Sequence, residues 1–151
     1  MYNKSKIQSR AALFLVAVLI LTGSAIRVSA MESSLVPVSD SIFHDNRSKK
    51  DWQMNRSSRM KDVEEVQHYL QKLNTNGDTG WRLPTKEELY SLFSLFDLKE
   101  NGKVKIRLEG KYWLQDEADT IYVGAWEIGD QCEPTRSFFR GNAGYIRAVR
   151  P

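Results

Sequence analysis

The chain has 151 residues, 22 of them Lys or Arg and 19 Asp or Glu, for a formal net charge of +3 at pH 7. Four of the basic residues (Lys4, Lys6, Arg10 and Arg27) and no acidic one fall in residues 1–30, leaving 18 against 19 and a balance of −1 for the rest. The basicity therefore belongs to the N-terminal segment, and nothing global argues for nucleic acid or an anionic membrane as partner.

Residues 1–30 read as a secretory signal peptide. A basic head precedes an unbroken apolar run, Ala11–Leu21, and Val28-Ser29-Ala30 places small residues where signal peptidase reads them. The run falls short of the roughly 20 residues that a transmembrane helix needs; an uncleaved N-terminal anchor is the alternative. No Cys lies near the cleavage site, so lipoprotein attachment is not expected. The expected product is periplasmic or secreted, starts near Met31 and has no membrane span once the signal is removed. Its length, about 120 residues, suits one domain.

Residues 31–50 are polar and irregular and read as a linker, with Ile42-Phe43 as a possible docking point. His44 beside Asp45 admits a metal or acid–base site, but a solvated linker histidine is the simpler reading. Between Asp51 and Met60, Trp52 and Met54 alternate as in a short strand. A helix follows. Asp62 and Glu65 have capping-box spacing, Val63, Val66, Leu70 and Leu73 form an apolar stripe flanked by Tyr69, and Asn76-Gly77 terminates it. His68 falls off that stripe and is expected at the surface.

The stretch Gly80–Phe96 organises the chain. Pro84 pushes Leu83 into an extended conformation, and Thr85 with Glu88 forms a second capping box. Leu89, Leu92, Phe93 and Phe96 then repeat at helical spacing, so one face should be buried. Trp81 and Leu83 point to one side of the extended arm and are expected to pack beneath the helix they introduce. The helix should end near Asp97.

After a turn at Asn101-Gly102, Val104, Ile106 and Leu108 alternate with Lys103, Lys105 and Arg107, the pattern of a half-buried strand with a basic outer face. Such a stripe can meet an acidic glycan or a partner's carboxylates, or simply protect an edge. Gly110 allows the next turn and Tyr112-Trp113-Leu114 reads as an aromatic strand. Asp116, Glu117 and Asp119 are the ligand type calcium prefers, without calcium-loop spacing. An exposed acidic turn is the favoured reading, with calcium as a possible cofactor. Thr120–Ile128 resumes as a strand with Ile121, Val123 and Ala125 on one face and Tyr122 and Trp126 on the other.

Cys132 is the only cysteine, which rules out a disulfide within one chain and leaves intermolecular pairing, a buried thiol or a reactive one. Catalysis would need a base beside it, and no motif places His44 or His68 there. Arg136, Phe138, Phe139 and Arg140 mix basic and aromatic character before the turn at Gly141-Asn142, and Tyr145–Arg150 reads as a terminal strand. That mixture suits stacking on sugar rings and pairing with sulfate or carboxylate.

Taken together, Gly80-Trp81-Arg82-Leu83-Pro84-Thr85 with Glu88-Leu89, the upstream helix, the Tyr112-Trp113 pair and the closing Ile146-Arg147-Ala148-Val149-Arg150 resemble the Lcl C-terminal domain family over residues 51–151. This is a bacterial extracytoplasmic domain named after a collagen-like adhesin and related in fold to C-type lectin-like domains and to formylglycine-generating enzymes. The resemblance implies an α+β fold: two helices on a small, mostly antiparallel sheet, an early strand pairing with the last, and adjacent termini. Two departures stand out. Leu70 and Ala148 occupy positions where members often carry a pair of cysteines, so apolar contact must replace that bridge; Leu114-Gln115 replaces the family's Ser-Ser. Glu133-Pro134-Thr135 resembles the Glu-Pro-Asn sugar triplet of C-type lectins with Thr in place of the amide, although a proline turn explains it equally. A single Cys does not provide the thiols that formylglycine generation uses.

The expectation is a non-enzymatic exported domain that binds polysaccharide, acidic or sulfated, at the cell envelope. A structural or protein–protein component of the envelope is the alternative. Candidate ligand residues are Arg107, Tyr112, Trp113, Trp126, Arg136 and Arg140; Trp81, Arg82, Leu83, Pro84, Thr85, Glu88, Leu89, Arg147 and Arg150 are expected to be structural, the arginines as ion-pair formers.

Overall fold

A computed structural model describes residues 33–75, 77–129 and 135–151. The signal segment, Asn76, Cys132 and the Glu133-Pro134 pair lie outside the described residues. The architecture is α+β, with two helices, α1 (Val63–Thr75) and α2 (Lys86–Asp97), and two antiparallel sheets. One sheet has the order β1-β2-β3-β7, formed by Leu35–Pro37, Ile42–Asp45, Lys50–Gln53 and Val149–Arg150. The other has the order β4-β5-β6, formed by Tyr112–Gln115, Ile121–Ile128 and Arg136–Gly141. No helix among the described residues is long and apolar enough to cross a membrane.

The segment expected to be a linker is instead the start of the first sheet. Leu35 and Phe43 are fully buried, and Phe43 sits opposite Trp52 in the β2–β3 ladder. Strands this short offer too few alternations to be read against the Ser and Asp residues around them. The turn from β2 to β3 is built by Asp45, whose buried carboxylate accepts the Arg47 amide at 2.9 Å and the Ser48 hydroxyl at 2.7 Å. The expected pairing of an early strand with the last one is observed: Asp51 pairs with Arg150 and Trp52 with Val149. On its other side Val149 exchanges two backbone hydrogen bonds with Arg82, each of 3.0 Å.

Thr85 caps α2 as its spacing requires. Its hydroxyl accepts the Glu88 amide at 3.1 Å while the Glu88 carboxylate accepts the Thr85 amide at 2.9 Å. Leu89, Leu92 and Phe93 are buried; the stripe leans towards Leu95, which is buried while Phe96 is only partly so. In α1 the box is offset, because Asp62 accepts the Glu65 amide but Glu65 reaches back to the Lys61 amide. Gly77 follows with φ +83°, the left-handed conformation expected of a helix terminator.

The hydrophobic interior divides in two. Leu35, Phe43, Trp52, Tyr112, Leu114 and Val149 pack with α2, whereas Met60, Trp113, Val123, Ile146 and Ala148 pack with Val66, Leu70 and Leu73 of α1. Consecutive strand residues point to opposite faces, so Tyr112 and Leu114 feed one core and Trp113 the other. Trp81 and Leu83 belong to the α1 core, not beneath α2 as their spacing suggests. The Asn74 side chain holds them there, accepting the Trp81 amide and donating to the Trp81 carbonyl, both at 2.9 Å. Leu70 and Ala148 both belong to this core.

The segment Lys103–Leu108 keeps the expected alternation, with Val104 buried and Lys103, Lys105 and Arg107 exposed, but it joins neither sheet. Its carbonyls are taken by side chains. Asn101 Nδ2 donates to the Val104 carbonyl, and Tyr112 Oη and Arg147 Nη2 donate to the Arg107 carbonyl. A strand partner is therefore not needed at those groups.

Candidate functional site: a cationic groove

Two of the three motif arginines act as ion-pair locks. Arg82 grips Glu88 through two parallel contacts of 2.7 and 2.8 Å, and Lys50 reaches the same carboxylate at 2.6 Å. Burial alone would push the Glu88 carboxyl up, but the hydrogen bonds from Arg82, Lys50 and the Thr85 amide prevail and bring its pKa down to about 2. Arg150 pairs with Asp78 at 2.9 Å and Asp51 at 3.2 Å, and lies over the Trp81 ring. His44 joins this cluster through a 2.8 Å contact between Nδ1 and Asp51, so it is a half-buried strand residue and not a solvated linker histidine.

Arg147 behaves differently. It is 1% exposed, and among the described residues no carboxylate approaches it. Its Nη1 donates to the carbonyls of Gln53 (2.8 Å) and Met54 (2.6 Å), and its Nη2 to that of Arg107 (2.8 Å). Nε has no partner. Burial pushes this guanidinium below arginine's ordinary pKa. The three carbonyls belong to two separate segments, so one buried side chain ties both together.

Between those segments runs a groove of about 560 Å³. Arg56 and Ser57 line one wall, Lys105 and Arg107 the other, and Arg147 contributes from within; Met54 and Ile106 supply apolar surface. Arg56 is held in place because its guanidinium lies 3.8 Å from the Tyr145 ring centroid and donates to the Glu109 carbonyl. Four cations line the groove, no acidic residue does, and none of the four has an ion-pair partner among the described residues. Such a surface concentrates positive potential and offers charge-assisted donors to an anion.

Of the expected ligand residues, only Arg107 lies in this groove. Tyr112 and Trp113 are core residues, 0% and 4% exposed, whose polar atoms bond to the carbonyls of Arg107 and Met60. The aromatic strand is buried on both faces, so neither ring is presented to a ligand. Arg136 is also structural: it forks Asp97 at 2.6 and 2.7 Å and donates to the Trp126 carbonyl at 3.0 Å. Trp126 is half-buried and its indole N–H donates to the Lys86 carbonyl.

Trp126 belongs to an aromatic row, Tyr90, Trp126, Phe138 and Tyr122, whose rings meet at angles of 55° to 83°. Lys86 lies over Trp126 and Phe138, and Arg140 over Tyr122 at 3.9 Å. Rings tilted to one another, three of the four with a cation over them, do not form a flat sugar-stacking platform. In the acidic turn, Asp116 accepts the Ala118 and Thr120 amides and Asp119 accepts from Gln115, while Glu117 is exposed. Among the described residues no group of three His, Cys, Asp or Glu side chains converges as a metal site would.

Sequence reading passed over Arg56, and placed Arg147 only as an ion-pair former. The polar run from Asn55 to Arg59 after a short strand was the sole signal for the first, and nothing local distinguishes a buried arginine from an exposed one. Comparison with family models, curated proteins and solved structures gives no match to this chain.

Proposed function

We propose that this chain is a non-enzymatic exported domain of the Lcl C-terminal type, with a C-type lectin-like fold, that binds acidic or sulfated polysaccharide at the cell envelope through the Arg56–Lys105–Arg107 groove. The observation that carries the reading is the groove itself, whose four cations lack counter-ions among the described residues. The N-terminal sequence supports export, and the Gly80–Leu89 motif supports the family. Of the ligand set expected from sequence this reading uses Arg107, and it adds Arg56 and Lys105.

The test is binding of the purified chain to an array of neutral, acidic and sulfated glycans, with calcium and again with chelator. Acidic or sulfated glycans bind selectively, added salt weakens them, and Lys105→Gln with Arg107→Gln reduces affinity roughly tenfold or more, the cost of losing charge-assisted hydrogen bonds. Loss of binding in chelator would bring calcium and the Asp116–Asp119 turn into the site. An array blank in both conditions overturns the reading and favours a protein-binding or structural envelope component, to be sought by crosslinking in the intact cell.

A further inference from the structure

We infer that the groove is an oxyanion seat whose occupant, a sulfate or phosphate ester group, completes the charge of buried Arg147, so that ligand binding and fold stability are coupled. The inference rests on the groove assigned above and adds the chemistry of the bound group and its effect on the domain.

An arginine has five N–H donors. Three of those of Arg147 reach the Gln53, Met54 and Arg107 carbonyls, and Nε donates to nothing. Carbonyls satisfy hydrogen bonds but carry no net charge, and an ion buried without a counter-charge is costly to the fold. Burial disfavours the charge most; the Tyr112 and Tyr69 hydroxyls relieve it in part, and the nearby charge of Arg56 adds to the positive field. The missing partner is an anion, and the accessible space that Arg147 adjoins is the groove.

Geometry favours a tetrahedral group. Arg56 stands on one wall, Lys105 and Arg107 on the other, and the Arg147 charge lies buried beside both. A planar carboxylate suits a single coplanar fork, whereas a tetrahedral ester turns three oxygens towards donors on two walls and leaves its ester bond pointing outward to the rest of a polymer. Because Arg147 bonds to both walls, an anion bridging them reinforces contacts the fold already uses.

Thermal unfolding of the purified chain in sulfate, phosphate or acetate, at constant ionic strength against chloride, tests this. Sulfate or phosphate should raise Tm logarithmically, following ln(1 + [L]/Kd), and acetate should not; at a hundred times Kd the folding equilibrium constant grows roughly 100-fold. The anion with the lower fitted Kd identifies the ester. Both anions also stabilise proteins linearly with concentration through exclusion from the surface, and the variant Lys105→Gln/Arg107→Gln, altered only at exposed positions, should retain that linear component alone. The side-chain Nε resonance of Arg147, assigned by its loss in Arg147→Lys, should shift with a midpoint at the Kd fitted from Tm.

Equal linear responses in both proteins with a stationary Arg147 resonance would mean an adventitious ion only and would overturn the inference, as would an acetate response equal to that of sulfate. Glycan binding without a logarithmic sulfate or phosphate effect likewise overturns the inference while leaving the polysaccharide reading intact. A logarithmic effect with a blank glycan array supports the inference and removes that reading.

Discussion

Glu88 accepts hydrogen bonds from Arg82, Lys50 and the Thr85 amide, so one carboxylate holds the cap of α2, the extended arm before it and the start of β3. Its folded pKa of about 2 lies below the ordinary value of 4.5. Stability from this group is therefore fully present above about pH 4.5 and is lost as the pH falls towards 2. With its partial exposure discounted, the contribution is on the order of 2–3 kcal/mol. Denaturant unfolding as a function of pH should show Glu88→Gln less stable by about that amount at neutral pH, with the gap to the parent closing in that acidic window; a constant gap would place its role elsewhere. The Thr85–Glu88 half of this arrangement was legible from spacing. The Lys50 contact was not, because residue 50 was read as the end of a linker.

Among the elements, β5 and β6 show what local pattern conveys. Alternation located β5, whereas the Arg136–Arg140 mixture read as a ligand-binding pattern is β6, and the closeness of their packing shows only in the fold, at Gly124. A Cβ there would lie 2.1 Å from Phe138 Cζ, so the ring lies over a position that must remain bare. Gly124→Ala should cost about 1–3 kcal/mol through overpacking. Combined with Phe138→Ala it should cost much less, and a double-mutant cycle in urea reads that coupling; additive losses would mean the ring can move aside. The segment Lys103–Leu108 marks the opposite limit. Its period-two pattern was correct for exposure and wrong for strand pairing, since alternation reports which side faces water and not what takes the backbone hydrogen bonds.

Across the whole molecule, two cores share the strands between them, and the first sheet draws on residues from both ends of the described chain. Leu35 and Phe43 are fully buried in the same core as Trp52, each contributing about 1.5–3 kcal/mol. A chain beginning at Asp51 should therefore lose cooperative thermal unfolding by circular dichroism, whereas one beginning at Ser33 should keep it; a stable shorter chain would restore residues 31–50 to the status of a linker. The helices, the α2 cap and the β3–β7 closure were legible because each rests on local spacing or on the motif. The groove was not, beyond Arg107. Arg56 and Arg147 stand far apart in sequence, and only the folded chain brings them to one place, where no carboxylate among the described residues pairs with them.

The position of the last strand has a consequence for the order of folding. Asp51 and Arg150 are joined across a sequence separation of 99 residues, and Ile146, Arg147, Ala148 and Val149 are all buried. Val149 belongs to one core and Ile146 and Ala148 to the other, so neither core closes until this segment docks, and contacts of such long range form slowly. Releasing these few residues would open both cores at once instead of fraying a single strand.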